Sequence, residues 1–307
     1  MPEITIIQKG DWYPENFLDA VNFNTWFVLF IMGLAIGSFL NVCIYRIPKK
    51  KFLAAHRSFC PDCNTSIKWY DNIPLLSYIL LRGRCRACKA KISVCYPLVE
   101  LLTGYVFVHL YYVFIQCRHE SPCVFICYAV LCCALIIVTF VDLKLLIIPN
   151  EVTFVGIPLA LVLSVICPSL HDAHHTLRNF SLVGIYRLDA LIASILGIFV
   201  GGFLIFICGI LGKLAFRKDA MGFGDVKLMA MIGGIVGWKL ALAIFFVAPF
   251  FGLLMAVPVL ILKKSRMIPY GPFLSFATLV CIILQDYFIG IVNLYIQFFI
   301  VIFTGFN

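Results

Sequence analysis

The chain has 307 residues, of which 63% are hydrophobic and 13% are charged, and its mean hydropathy is +1.02. Soluble domains carry about 25% charged and about 45–50% apolar residues, so this composition excludes a water-soluble fold. The formal charge of +9 is not accompanied by any nucleic-acid recognition module, so we expect no nucleic-acid binding.

Apolar segments of membrane-spanning length follow one another along the chain, since a helix needs about 20 residues to cross the hydrocarbon core. Residues 1–25 form a polar N-terminal segment without the basic and apolar regions of a cleavable signal, so the first span, residues 26–45, is expected to direct insertion. A polar insertion follows at 46–96, and the remaining spans lie in 97–307. The predicted later spans are 97–117, 122–141, 152–167, 190–216, 226–236, 240–262 and one from 272 onward. We therefore predict an all-α polytopic membrane protein with about eight transmembrane helices.

The basic residues predict the orientation of these helices. Eleven Lys and Arg lie between Arg46 and Lys91, and only Asp62 and Asp71 oppose them there. Cytoplasmic loops of membrane proteins carry an excess of basic residues. We therefore expect the insertion to be cytoplasmic and to lie near anionic lipid headgroups.

Two Cys-x-x-Cys pairs stand in this insertion, Cys60 with Cys63 and Cys85 with Cys88. Four thiolates at this spacing can close a tetrahedral zinc site, which would be structural because no coordination position stays open. Such an ion would help an insertion of about fifty residues to fold. Two unrelated thiol pairs, or a redox motif, are the alternatives. The other ten cysteines lie in apolar or mixed surroundings, where a thiol behaves as a small hydrophobe.

Two aspartates stand at the ends of apolar segments on the same predicted side, Asp142 and Asp225. Ionisable groups at membrane depth cost several kcal/mol and are rare unless functional. Two neighbouring carboxylates do not both ionise, so one can act as base toward water while the other protonates a leaving amine. Gly222 and Gly224 have no Cβ and would let a substrate approach Asp225. The pattern therefore favours an aspartyl protease with Asp142 and Asp225 as its catalytic pair.

Simpler interpretations of the polar residues remain open. Either aspartate alone could be a solvated boundary residue or a helix N-cap, and Asp219 and Glu151 are nearby competitors. The loop at 171–175 holds three histidines without a matching carboxylate cluster, and we interpret it as a solvated loop. Asp286 has no assigned role. Motifs of serine hydrolases, zinc hydrolases and nucleotide-binding folds are absent from the sequence.

Short motifs recur in a fixed order from about residue 30 to residue 275. They are GSFLNVCIYRIP at 37–48, the two Cys-x-x-Cys pairs, WYDNIP at 69–74, YPLVE at 96–100, DLK at 142–144, IP at 148–149 and MGFGDVKL at 221–228. With these motifs the chain closely resembles the bacterial prepilin peptidase (type IV leader peptidase) family. The resemblance implies that Asp142 and Asp225 are catalytic and that the enzyme cuts after a glycine that ends a short basic leader. It also implies that the substrates are prepilins and pseudopilins.

Further expectations rest on the resemblance alone. They are an active site at the cytoplasmic face of the bacterial inner membrane, and N-methylation of the new terminus from S-adenosylmethionine, associated with the cysteine-bearing insertion. We therefore expect a bifunctional leader peptidase and N-methyltransferase that contacts membrane lipids and prepilin-like substrates. A non-catalytic membrane scaffold or transporter is the alternative, but it would not explain the two aspartates together with the cysteine pairs. A membrane thiol-disulfide oxidoreductase would need its motif cysteines near the oxidising face.

Overall fold

The computed structural model describes residues 23–49, 58–171, 186–217, 222–261 and 269–304. Within these residues the fold is helical, and the only strand-like pairings are two isolated bridges in the insertion, Phe59–Ser66 and Arg84–Lys91. The described α-helices are α1 (Phe23–Arg46), α2 (Leu76–Leu80), α3 (Cys95–Tyr111), α4 (Pro122–Leu145), α5 (Asn150–Ile166), α6 (Tyr186–Phe216), α7 (Phe223–Ile261), α8 (Gly271–Ile283) and α9 (Gln285–Thr304). Short 3₁₀ turns cover Trp69–Asn72 and Pro168–Leu170, and a π-helical turn, Tyr112–Cys117, prolongs α3. The all-α prediction is confirmed.

Five of the described helices are long and apolar enough to cross a membrane: α1, α3 with its π-helical end, α4, α6 and α7. Helices α8 and α9 meet at 91° and add a sixth span if they are one broken element. Helix α5 has 17 residues and is shorter than a full span. The chain is therefore a multi-pass membrane protein, but the predicted count of eight spans is not confirmed.

The difference in span count arises at two places, at α5, which is shorter than a full span, and at Gly237, where two predicted spans count as one element. The sequence predicts a turn at 237–239 between two apolar segments, and the structure has a break there, since the two helical segments of α7 meet at the non-helical residue Gly237. Gly237 has φ 79° and ψ 165°, outside the helical region, in a conformation that costs glycine little because it has no Cβ. The break therefore lies where the sequence predicts it, although the two segments count together as one long apolar element.

The long helices differ in how much of their surface faces other helices. In the apolar stretch of each helix, 72% of α7 and 67% of α4 is buried inside the protein. The corresponding shares are 39% for α1 and 28% for α6. Apolar side chains on the outer helices can face lipid tails, because lipid is as apolar as leucine. The two innermost long helices are therefore those that carry Asp225 and Asp142.

Small residues bring α6 and α7 into close contact. A Cβ on Gly197 would collide with the carbonyl group of Gly233, and a Cβ on Gly233 would collide with that of Gly197. Beside this crossing, the Ser194 hydroxyl donates to the Gly234 carbonyl at 2.7 Å. Backbone approach at small residues, with polar bonds across the interface, is how helices associate in the absence of water.

The corner between α8 and α9 explains the otherwise unassigned Asp286. Its carboxylate lies 3.0 Å from Arg118 Nη2, and the same guanidinium donates to the Ile283 carbonyl at 2.9 Å. Arg118 thus binds the last carbonyls of α8 and the first turn of α9. Asp286 supports a bend rather than catalysis.

One histidine of the 171–175 loop is not solvated, so that interpretation is wrong for His171. The 3₁₀ turn Pro168–Leu170 packs against α4, α5 and α6, which leaves the following His171 only 5% exposed. His174 and His175 lie outside the described residues.

Candidate active site

Asp142 lies in the last turn of α4 and is 5% exposed. Its Oδ2 accepts a hydrogen bond from the backbone N–H of Gly271 at 2.9 Å. Gly271 is the first residue of α8, so a peptide group from a distant part of the chain orients this carboxylate. A Cβ on residue 271 would lie 2.7 Å from the same oxygen, so only glycine fits this approach.

Asp225 occupies the first turn of α7 and is 9% exposed. Its Oδ2 accepts the N–H of Gly222 at 3.2 Å. A carboxylate in the first turn of a helix is stabilised by the partial positive charge of the helix N-terminus. Gly224 packs against Ile148, where an added Cβ would come within 3.0 Å of the isoleucine Cβ. The Gly-x-Gly-Asp segment is thus closely packed against the connection between α4 and α5.

The structure brings the two predicted aspartates to one end of the helix bundle, which we call the aspartate end. Asp142 ends α4 there, Asp225 begins α7, and Tyr270 and Gly271 begin α8. Gly224, directly before Asp225, packs against Ile148, six residues after Asp142, and this contact brings the two segments together. Burial and then the charge of Asp225 raise the pKa of Tyr270 to about 12, so this phenol keeps its proton and can donate a hydrogen bond.

The competing acidic residues do not join this pair in the described structure. Glu151 is exposed in the first turn of α5, and Asp219 lies outside the described residues. Lys227, two residues after Asp225, donates to Asn150 Oδ1 at 2.9 Å and lies over the rings of Phe154 and Phe223. Sequence reasoning did not single out Lys227, Tyr270 or Gly271.

The four motif cysteines converge in the insertion, with their sulfur atoms within 4.8 Å of one another. The two pairs sit in equivalent turns. In the first turn Cys60 N–H binds the Thr65 carbonyl at 3.0 Å, and Asn64 N–H binds the Cys60 carbonyl at 2.9 Å. The second turn repeats this pattern. There the Cys85 N–H binds the Ala90 carbonyl at 2.8 Å, and the Lys89 N–H binds the Cys85 carbonyl at 3.1 Å. Asn64 and Lys89, with φ of 56° and 60°, take the same left-handed position in each turn.

The proton affinities of these thiols fit a cation-binding cluster. Hydrogen bonds from the side chain and then the backbone of Thr65 lower the pKa of Cys63 to about 6, and the Cys88 and Ala87 backbone N–H groups lower the pKa of Cys85. The Ala90 backbone favours the Cys88 thiolate, but burial and the neighbouring sulfurs outweigh it and raise the Cys88 pKa to about 12. Because thiolates are the metal-binding form, a divalent cation would relieve this mutual repulsion.

A cavity of about 510 Å³ separates this cysteine cluster from the helices. It lies between the insertion, α1 and the start of α3, and Lys144 near the end of α4 also lines it. Two hydrogen bonds hold this region together. Asn41 of α1 donates to the Tyr96 carbonyl at 3.0 Å, and Glu100 accepts the Leu75 N–H at 2.9 Å.

Comparison with known proteins identifies the family. Residues 31–114 match the bacterial peptidase A24 N-terminal domain, and residues 129–257 match the type IV leader peptidase family. A protein of Aeromonas hydrophila named prepilin leader peptidase/N-methyltransferase is 31% identical over 288 residues, covering 84% of this chain and 90% of the relative. The chain belongs to the type IV leader peptidase family.

Other relatives with the same name come from different bacteria. The Neisseria gonorrhoeae protein is 31% identical over 80% of this chain and 85% of its own length. The Myxococcus xanthus protein is 34% identical over 76% of this chain, but the match covers only 62% of that relative. No solved structure matches. Asp142 and Asp225 fall within the match to the leader peptidase family, and the four motif cysteines fall within the N-terminal domain match.

Proposed function

We propose that this chain is an intramembrane aspartyl endopeptidase that removes the short basic leader from prepilins and pseudopilins, with Asp142 and Asp225 as its catalytic pair. The main support is the placement of two largely buried carboxylates at one end of the bundle, on its two innermost long helices. A scaffold or transporter gives no reason for two such carboxylates, each oriented by a backbone N–H.

The chemistry follows from the difference in proton affinity that two neighbouring carboxylates impose on each other. One carboxylate is ionised and takes a proton from water as the water attacks the scissile carbonyl. The other is protonated and passes its proton to the leaving amine. Among the described residues, the backbone bonds of Gly271 and Gly222 engage Oδ2 of each aspartate, which leaves Oδ1 for the water and the substrate.

The boundary position of the pair suits a substrate with a polar leader followed by an apolar segment. The apolar segment can lie in the membrane beside the bundle while the leader stays in water. We place the aspartate end at the cytoplasmic face of the inner membrane, because the basic residues predict that side. Anionic headgroups there would attract the basic leader.

The cysteine cluster supports a structural zinc ion held by Cys60, Cys63, Cys85 and Cys88. Four thiolates complete a tetrahedral shell, so the ion has no open position for catalysis. The two equivalent turns carry few apolar side chains, and a shared ion would hold them together. We therefore divide the chain into an insertion that serves methyl transfer, residues 46–96, and a peptidase domain, residues 97–307.

The cavity beside the cluster is the site we propose for S-adenosylmethionine. Its volume of about 510 Å³ is within the range of small-molecule pockets, about 300–1,000 Å³. Tyr45, Tyr96 and the carboxylate of Glu100 line it, and aromatic faces and carboxylates both attract a cation such as a sulfonium. The bound donor supplies an electrophilic methyl group to an amine. Lys144 lines the cavity two residues after Asp142, so a new N-terminus at the aspartates has a short path to it.

The decisive experiment is cleavage of a co-reconstituted prepilin by wild type, Asp142→Asn and Asp225→Asn with S-adenosylmethionine present. Asparagine keeps the size and the oxygen acceptor but cannot act as an acid–base group. We expect cleavage and a methylated product from wild type, and no cleavage by either variant although both insert in the membrane. Glu151→Gln, on the same side but exposed, is the matched control and should cleave normally. Cleavage by Asp142→Asn or Asp225→Asn would remove that residue from the pair.

A further inference from the structure

A second cysteine cluster lies at the end of the bundle opposite to the aspartates. The sulfur atoms of Cys123, Cys127 and Cys167 lie within 4.8 Å of one another. Cys123 and Cys127 are four residues apart on α4 and so share one face of the helix, and Cys167 follows α5. From Cys123 to Asp142 the helix rises about 28 Å, close to the thickness of the hydrocarbon core. This cluster is therefore independent of both the aspartate pair and the cysteines of the insertion.

A buried base without a partner among the described residues stands close to the cluster in sequence. His171 follows Cys167 by four residues, across the 3₁₀ turn Pro168–Leu170, and is 5% exposed. Neither of its ring nitrogens has a hydrogen-bond partner among the described residues, although buried polar groups are nearly always satisfied.

The thiols themselves are largely shielded from solvent. Cys127 is fully buried and Cys167 is 2% exposed, while Cys123 is half-buried at the rim. The Cys167 sulfur lies 3.4 Å from the Ser169 hydroxyl, which in turn lies 3.1 Å from the hydroxyl of Ser121. The cluster is thus a small, mostly buried group of soft ligands with a polar entrance.

We propose that Cys123, Cys127, Cys167 and His171 form a zinc site that ties α4 to the end of α5. Three cysteines and one histidine are an established ligand set for structural zinc. With zinc–sulfur bonds of about 2.3 Å, tetrahedral geometry places the sulfurs about 3.8 Å apart, so the thiols need to close by at most about 1 Å. The imidazole lies outside the 4.8 Å group, so its approach to the ion is part of the proposal. The ligands belong to two short stretches, Cys-x₃-Cys and Cys-x₃-His.

Zinc content of the purified full-length protein tests this site. We expect Cys127→Ser and Cys123→Ser to contain one equivalent of zinc less than wild type, while the zinc of the insertion is retained. Because Cys127 is fully buried, the half-buried Cys123 provides a variant that disturbs packing less. Cys208→Ser is the matched control, since Cys208 is exposed on α6 and lies outside both clusters. Equal zinc in wild type, Cys123→Ser and Cys127→Ser would overturn the proposal.

Two further measurements make the result specific. His171→Phe should lose this zinc at a chelator concentration at least about ten-fold lower than that needed for wild type, because loss of a ligand costs no less than loss of a ligand's hydrogen-bond partner. An unchanged chelator curve would overturn His171 as a ligand. Intact mass distinguishes a metal site from a disulfide: a wild-type mass lower by two hydrogens, restored by a reductant and absent in Cys167→Ser, would overturn the metal site. Prepilin cleavage should be unchanged in these variants.

Discussion

A single glycine far along the chain controls the setting of Asp142. Gly271 lies 129 residues away in sequence, and its N–H donates to the aspartate at 2.9 Å. Gly271 lies so close to Asp142 that an added Cβ at position 271 would come within 2.7 Å of the Asp142 Oδ2 atom. Because the proposed reaction needs the Asp142 carboxylate to contact both the water and the scissile carbonyl, its orientation should affect the rate more than the stability of the fold.

We therefore predict that Gly271→Ala lowers prepilin cleavage by about 10²-fold, since a shift of about 1 Å in a catalytic group has an effect of that size. The variant should still insert and keep its zinc. Gly290→Ala in α9 is the control, because nothing lies within 4 Å of a Cβ there. Initial rates in detergent micelles measure the effect. Equal rates for the two variants would contradict a positioning role for Gly271.

Residues that carry their own chemical signal were predictable from the sequence. Asp142 and Asp225 stand out because acids at membrane boundaries are rare, and the structure brings them to one end of the bundle. Cys60 and its three partners stand out by spacing, and they converge as predicted. Gly271 was not predictable, since a backbone N–H donated from a distant helix leaves no sequence pattern. Cys123 was missed because its apolar surroundings look like those of any buried thiol.

At the scale of helices, packing of α6 against α7 holds the N-terminal turn of α7 in place. The crossing at Gly197 and Gly233 allows the two backbones to touch, and Ser194 adds a hydrogen bond across it. Gly201 repeats the close approach one turn later, against the carbonyl of Met229. Since α7 carries Asp225 in its first turn, a change at this interface should alter the proposed active site.

We predict that Gly197→Leu destabilises the protein by about 1–3 kcal/mol or more, the usual range for overpacking, and lowers cleavage as well. The cause is that α6 and α7 must separate to accommodate the side chain. Gly290→Leu, where the structure offers open space, should have little effect on either property. Thermal unfolding in detergent, followed by loss of helical circular dichroism, gives the comparison. A wild-type melting temperature for Gly197→Leu would contradict the close packing.

Helix type was predictable from the sequence, but helix ends were less so. The predicted span at 122–141 stops just before Asp142, whereas α4 continues to Leu145 and includes it. The apolar pattern ends at the aspartate, but the hydrogen bonds of the helix do not. By contrast, the turn predicted at 237–239 coincides with the non-helical Gly237, where two helical segments of α7 meet.

At the scale of the whole molecule, the two proposed activities occupy different parts of the chain. The aspartates are held by α4, α7 and α8, whereas the cavity proposed for the methyl donor has the insertion as one wall. The insertion is joined to the bundle through Glu100, which accepts the Leu75 N–H, and through the Asn41–Tyr96 bond. The peptidase machinery should therefore tolerate damage to the insertion better than methyl transfer does.

Removal of the zinc proposed for the insertion should separate the two activities. We predict that a Cys60/Cys63/Cys85/Cys88→Ser variant loses at least about ten-fold more methylation than cleavage, because the cavity loses one wall while the aspartate helices remain packed. The same order is expected when wild type is treated with a chelator, with faster loss in mild acid because protons compete with zinc for the thiolates. Mass spectrometry of the pilin product reports both reactions at once, since cleavage sets the N-terminus and methylation adds to its mass. Cys208→Ser controls for loss of an unrelated thiol, and full methylation by the zinc-free variant would show that methyl transfer does not depend on the folded insertion.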